Sequence, residues 1–185
     1  MSTRVAGIPG SLREGSLNKG LLRAAVELAP AGMEIQIYTR LGDIPPYNDD
    51  VFQKGDPEPV ADLKAFIAGA DAMLISTPEY NYGIPGVLKN AIDWVSRPAG
   101  KSALNRKPAA IMGCSPGLGG TIRAQHALRQ SFVFTETHVM LQPEIKIPSA
   151  APLFDASSKL TDETTRQYIK KFLDAFVIWI GRFKN

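Results

Sequence analysis

Val5-Ala6-Gly7-Ile8-Pro9-Gly10-Ser11-Leu12-Arg13-Glu14-Gly15-Ser16-Leu17-Asn18 is an apolar run, then a glycine- and serine-rich turn, then the opening of a periodic segment. Val5 to Ile8 reads as a buried strand, because a continuous apolar run bounded by turn formers suits the interior of a sheet. Leu17, Leu21, Leu22, Ala25 and Leu28 then recur at the spacing of one helix face. A buried strand that enters a helix through a single short loop is the repeating half of a parallel β-α-β fold.

The alternation continues along the chain. Pro30-Ala31-Gly32 stops the first helix, and Met33 to Tyr38 alternates as a second, edge-like strand. The Pro- and Asp-rich stretch from Asp43 to Pro59 is expected to be a long surface loop, a feature that is uncommon in a compact domain unless it shapes a site. Val60, Leu63, Phe66 and Ile67 mark a second helix, and Ala72 to Ser76 a third, fully buried strand. Pro85 suits the first turn of a third helix striped by Val87, Leu88, Ala91, Ile92 and Val95. Ala109 to Gly113 is the fourth strand, Gly119-Gly120 opens a fourth helix that reaches about Phe132, and His138 to Leu141 is the fifth strand. Ile169, Phe172, Leu173, Phe176 and Ile180 stripe a closing helix, with Thr161-Asp162-Glu163 as its start signal. Five such units in a row predict an α/β fold with one doubly wound parallel sheet and helices on both faces. With no repeat, low-complexity tract or linker, residues 1–185 are expected to form a single domain.

Composition sets the class. The chain has 185 residues, 44% hydrophobic and 21% charged, which is enough for one substantial core and argues against disorder. The net charge of +3 favours anionic ligands. The basic residues are dispersed, with no zinc-finger spacing, so nucleic acid is not an expected partner. The single cysteine, Cys114, excludes an intrachain disulfide and a cysteine-rich metal site, and it suits a reducing cytosol. No secretory segment and no bilayer-length apolar run is read, so the expectation is a cytoplasmic protein without membrane insertion.

In a doubly wound sheet, ligands sit beyond the carboxyl ends of the strands at the switch point. The loops after strands one, three and four therefore carry the information. The first, Gly10 to Asn18, suits a phosphate monoester: glycines allow close backbone approach, Ser11 and Ser16 supply hydroxyls, and Arg13 can donate to phosphate oxygens. Ser16 sits where an N-cap would, and Lys19 cannot complete a capping box, so the first helical amides are left to an anion that the macrodipole favours. There is no Gly-Lys-Ser/Thr and no Gly-x-Gly-x-x-Gly at this turn, which argues against ATP-driven phosphoryl transfer and against a dinucleotide fingerprint. An ordinary Gly- and Ser-rich turn fits the same letters, and the loop alone leaves both readings open.

The second loop, Thr77 to Gly86, combines turn formers with Tyr80 and Tyr82, whose faces suit a planar heteroaromatic ring. The plain alternative is a Pro-bounded turn with both tyrosines packed on neighbouring helices. The third, Cys114-Ser115-Pro116-Gly117-Leu118-Gly119-Gly120, brings amides close to a helix N-terminus, as donors for negative charge on a ring edge. A flexible loop is the alternative there. Three such loops at adjacent strand ends are harder to dismiss than any one of them.

These residues resemble the NADPH-dependent FMN reductase family, which includes quinone, azo-dye and chromate reductases. The matching motifs are Gly-Ser-Leu-Arg-x-x-Ser-x-Asn at Gly10 to Asn18 and Pro-Glu-Tyr-Asn at Pro78 to Asn81. The latter continues into Gly86-x-Leu88-Lys89-Asn90-Ala91-Ile92-Asp93-Trp94, and Arg123-Ala124-Gln125-x-x-Leu128-Arg129-Gln130 resembles the family's fourth helix. The likeness covers about the first four-fifths of the chain and fades after Glu144. It implies a flavodoxin-like three-layer sandwich with a five-stranded parallel sheet in the order 2-1-3-4-5. It also implies that Ser11, Arg13, Ser16 and Asn18 bind the phosphate of FMN, and that Pro78, Glu79, Tyr80 and Asn81 line the isoalloxazine. Ser115 with the backbone of Gly117, Gly119 and Gly120 would close the other side. NADPH or NADH is the implied electron donor in a ping-pong hydride transfer at the flavin N5. The implied acceptor is a small molecule such as a quinone, azo compound, chromate or free flavin, and the implied assembly a homodimer or homotetramer.

Because the flavin carries that chemistry, no catalytic side chain is expected. Cys114 has no apparent histidine partner and reads as a buried thiol. Glu79 reads as a loop carboxylate bonded to backbone rather than a general base. His126 reads as a surface or interface residue and His138 as structural, while Asp93 and Trp94 suit packing and subunit contact. The second function class is a non-enzymatic, flavodoxin-like electron carrier. The net positive charge and Arg13 in the phosphate loop speak against it, since such carriers present acidic docking surfaces.

Overall fold

In the computed structural model, which describes residues 2–183, the expected strands line up side by side. They are β1 (Thr3–Pro9), β2 (Met33–Ile37), β3 (Ala72–Ser76), β4 (Pro108–Cys114) and β5 (His138–Val139), all parallel and ordered β2-β1-β3-β4-β5. This is the flavodoxin-like order. Every residue of β3 and β4 is buried, as central strands covered on both faces must be. β2 alternates, with Met33 and Ile35 in and Glu34 and Gln36 out, as suits an edge.

Helices cover the two faces. Leu74, Ala110 and Met112 face α1 (Leu17–Glu27) and α6 (Glu163–Gly181), whose Leu21, Leu22, Phe172 and Phe176 are fully buried. Met73, Ile75 and Ile111 point the other way, into a second core with α3 (Glu58–Ala68), α4 (Gly86–Val95) and α5 (Ile122–Ser131). The period-2 alternation along each strand feeds both cores. As read from the sequence, Asp162 caps α6, its carboxylate accepting from the Thr165 N–H at 2.7 Å. Among the described residues no helix is long and apolar enough to cross a membrane.

Three local expectations are corrected. The stretch from Asp43 to Pro59 is not one plain loop. A 3-10 turn closes at Asp43, a short helix α2 (Asp49–Phe52) is capped by Asn48, and α3 begins at Glu58. Its extended part is pinned to α4: Asn90 accepts from the Tyr47 N–H at 2.7 Å, and both Asn90 and the Trp94 indole donate to the Pro45 carbonyl at 2.8 Å. Trp94 is thus buried within its own chain.

The fifth position is filled by two short strands. β5 pairs with Pro108 and Ala109, then the chain leaves the sheet and returns as β6 (Ile145–Ile147) against Met112 to Cys114. The expected strand from His138 to Leu141 is therefore only half right, and β6 was hidden because a three-residue run with Lys146 in its middle is too short to show a period. Finally, α5 starts at Ile122 rather than at Gly119-Gly120. Gly120 and Thr121 both hold left-handed backbone, with φ of +53° and +70°, which the helix cannot include.

That turn packs tightly on β4. A Cβ on Gly113 would collide with the Thr121 hydroxyl and lie 2.5 Å from the Thr77 carbonyl oxygen. The side-chain-free position lets the loops after β3 and β4 close on each other. Gly113→Ala is expected to lower stability by about 3 kcal/mol, at the upper end of the usual cost of overpacking, read as a reduced urea midpoint at unchanged m-value.

Candidate functional site

β1 and β3 run in parallel register from Val5 opposite Ala72 to Pro9 opposite Ser76, so they end level and release their loops side by side. The loop after β1 packs close to the loop after β3, where a Cβ on Gly10 would lie 3.1 Å from the buried Pro78 ring. Ser11, also buried, meets the Tyr80 hydroxyl at 3.3 Å and accepts from the Arg13 N–H at 3.3 Å.

Ser16 is the N-cap of α1, and its hydroxyl accepts from the Lys19 N–H at 3.3 Å. The preceding donors are free. Among the described residues, the backbone N–H groups of Glu14, Gly15, Ser16, Leu17 and Asn18 have no protein acceptor. The Arg13 side chain is exposed and likewise makes no hydrogen bond or ion pair among them. A row of unpaired amides at a helix N-terminus, flanked by a free guanidinium, is an anion cradle.

Asn18 takes a different part from that expected of it. Its side chain is buried, Nδ2 donating to the Cys114 carbonyl at 2.9 Å while Oδ1 accepts from the Cys114 N–H at 3.0 Å and the Ser76 hydroxyl at 3.3 Å. The carboxamide bolts α1 to the ends of β3 and β4, leaving only the Asn18 N–H for a ligand. Cys114 is buried behind it, and burial pushes its thiol up to about 12. The reading of a buried thiol holds, and burial of this kind disfavours the reactive thiolate. Iodoacetamide at pH 8 is expected to leave Cys114 unmodified in the native protein and to alkylate it fully in urea, as mass spectrometry would show.

Glu79 is also a structural carboxylate. Its Oε2 accepts from the N–H groups of Arg123 at 2.8 Å and Ala124 at 3.1 Å, the second and third residues of α5. Thr121, in left-handed backbone, provides no side-chain cap, so Glu79 caps this helix from 44 residues away. A carboxylate at that end also complements the helix dipole. Arg123 returns to Glu79 Oε1 at 3.4 Å and lies 4.2 Å from the Tyr82 ring centroid, a cation–π distance. Arg123 was given no site role in the sequence, although it opens a quoted motif, whereas Tyr82 was read with Tyr80 as a face for a planar ring. Glu79→Ala is expected to cost about 1–2 kcal/mol, the usual worth of a helix cap, measured by denaturant unfolding.

Tyr80 and Gly83 exchange two backbone hydrogen bonds, 3.2 and 2.9 Å, around Asn81 and Tyr82. Both central residues have positive φ, +49° and +63°. This is the primed turn usually left to Asn and Gly, and a bulky tyrosine there carries strain of the kind that gathers at functional sites. Tyr82 stays 73% exposed. Across from it, Ser115 bonds to the Gly117 carbonyl at 3.0 Å, and the loop is tied to the segment after β6 through Ser149 and Ala150. The N–H groups of Gly117, Leu118, Gly119 and Gly120 have no protein acceptor among the described residues, and Leu118 is 88% exposed. His126 is exposed on α5, whereas His138 stacks on Phe183 with centroids 4.2 Å apart.

Residues 3–152 match the family model described as NADPH-dependent FMN reductase. The chain belongs to that family. An NAD(P)H-dependent FMN reductase of Pseudomonas aeruginosa is 46% identical over 182 residues, which cover 98% of this chain and 97% of the relative. A quinone reductase of Pseudomonas putida is 46% identical over 176 residues, 95% of this chain and 94% of the relative. Among solved structures, FerB of Paracoccus denitrificans, a flavoenzyme NAD(P)H:(acceptor) oxidoreductase, superposes with a TM-score of 0.88 at 42% identity, covering 97% of this chain and 98% of that one. The likeness thus runs past Glu144, where the sequence motifs fade.

The NADPH-dependent FMN reductase family implies a flavin, and the residues fit one. The cradle from Arg13 to Asn18 offers donors of the number and charge that a phosphate monoester takes up. The loops carrying Tyr80 and Gly117 to Gly120 offer aromatic surface and unpaired amides for a flat ring with acceptor edges.

Proposed function

We propose that this chain is an FMN-dependent NAD(P)H oxidoreductase that passes electrons from a nicotinamide donor to a quinone or similar small acceptor. The observation that carries the reading is the run of unpartnered amides from Glu14 to Asn18 beside a free Arg13. Bound FMN would supply the redox chemistry, exchanging hydride with the donor and returning electrons to the acceptor. The chain's own residues hold and orient it. Arg13 and the cradle amides balance phosphate charge, and the Ser11 and Ser16 hydroxyls set the shape of the loop. Pro78, Tyr80 and Asn81 flank the ring, while Ser115, Gly117, Gly119 and Gly120 face its polar edge. Asn18 and Glu79 act chiefly by fixing where these loops stand.

The whole chain is one reductase domain in this reading, and the exposed rim of Tyr82, Leu118 and Ile122 supports a homo-oligomer with the flavin near a subunit boundary. An electron carrier is the weaker reading, because the chain has a net charge of +3 rather than an acidic docking surface.

FMN-loaded protein is expected to oxidise NAD(P)H in the presence of a quinone well above the rate of free FMN. Turnover no faster than free flavin would defeat the reductase reading. Arg13→Ala is expected to weaken FMN binding at least about tenfold in a fluorescence titration, in line with loss of a charge-assisted contact, at an unchanged melting temperature.

A further inference from the structure

We propose that the cavity between the phosphate loop, α1 and the carboxyl end of β2 holds the adenosine end of the nicotinamide donor, with Lys19 and Arg23 reading its 2′-phosphate. The cavity measures about 470 Å³ and is lined by Ser11, Leu12, Lys19, Arg23, Thr39 and Asp43, among others. That volume lies within the usual range for small-ligand sites, about 300–1,000 Å³. Its place, at the carboxyl ends of β1 and β2, is where open α/β sheets take ligands.

The charges in the lining are uneven. Lys19 and Arg23 are four residues apart on α1 and so share a face. Both are held by neutral oxygens: Lys19 Nζ donates to the Leu12 carbonyl at 3.0 Å, and Arg23 Nη2 donates to the carbonyls of Ser158 at 3.0 Å and Ser157 at 3.4 Å. Neither has a carboxylate at ion-pair distance among the described residues. Glu27, one turn beyond Arg23, is engaged by Arg166 at 3.1 Å, and Asp43 in the lining is engaged by Arg40 at 3.1 Å. Two cations thus line the cavity with no carboxylate at ion-pair distance among the described residues, the one acid in the lining, Asp43, being taken up by Arg40, and each keeps N–H donors to spare. A sugar phosphate dianion supplies what they lack.

The cavity also has the apolar wall that a purine needs. Leu12 is half exposed, with its methyl carbons 3.5 and 3.7 Å from where a Gly42 Cβ would stand. The link to the redox centre is Ser11, which lines the cavity and meets the Tyr80 hydroxyl at 3.3 Å. Ser11 is therefore shared between the cavity and the loop after β3, which would let a dinucleotide lying across it reach both. Thr39 at the mouth is exposed, and its hydroxyl has no partner among the described residues, so it can be changed without disturbing the fold.

This assignment rests on the reading of the chain as a nicotinamide-dependent reductase, and the test separates the two. FMN-loaded protein is titrated calorimetrically with 2′,5′-ADP and with 5′-ADP. KM for NADPH and for NADH is measured for wild type, Thr39→Asp and Arg23→Gln, with flavin content and melting temperature followed for each. The expected results are binding of 2′,5′-ADP at least about tenfold tighter than 5′-ADP, competition with NADPH, and an increase of about tenfold in the ratio of KM for NADPH to KM for NADH in both variants. Equal affinity for the two nucleotides, or variants that move both KM values together, would overturn the site. Wild-type protein that oxidises neither donor would overturn the reductase reading instead, while the nucleotide titration would still decide the cavity.

Discussion

The arrangement of the site depends on one buried carboxamide. Asn18 pairs with both backbone groups of Cys114 and with the Ser76 hydroxyl, the way a neighbouring strand would pair with a peptide. It does so from the second residue of α1, so the helix N-terminus is fixed against the ends of β3 and β4. Removing it would leave a buried N–H and a buried carbonyl unpaired, and each such loss costs about 1–3 kcal/mol. The distance between the free amides before α1 and the loops after β3 and β4 is therefore set by hydrogen bonds rather than by loop flexibility.

Glu79 does comparable work one strand further along. Its carboxylate serves the amides of α5 and, with Arg123, braces the strained turn at Tyr82. Two polar residues within the quoted motifs thus hold loops in place. This division of labour suits a protein whose chemistry comes from a bound group: rigid placement of amides, hydroxyls and aromatic faces matters more than a titrating side chain.

The legible parts of the fold were those written in local periodicity. Val5 to Ile8 and Ala72 to Ser76 read as buried strands because their neighbours cover both faces, and the stripe from Ile169 to Ile180 read as a helix because it faces one core. The Ser16 cap was legible from its own letters, since it is a cap by residue type and position. The bonds of Asn18 and Glu79 were not, because their partners lie 96 and 44 residues away and leave no trace in spacing. The same holds for Asn90 and Trp94 gripping Pro45, which turns an apparently loose stretch into a docked one. β6 escaped notice because pairing with β4, rather than any pattern of its own, makes it a strand.

The seclusion of Cys114 has a practical side. A chain whose sole native sulfhydryl is sealed beneath a carboxamide and the ends of two strands should behave toward maleimides as though it were cysteine-free. Cysteines introduced at Leu118 and at Tyr82, both open to solvent, would then be the reactive pair for spin labels or dyes. Resonance distances between them would report whether the loops after β3 and β4 shift relative to each other when FMN is added, with no need first to engineer the native residue away.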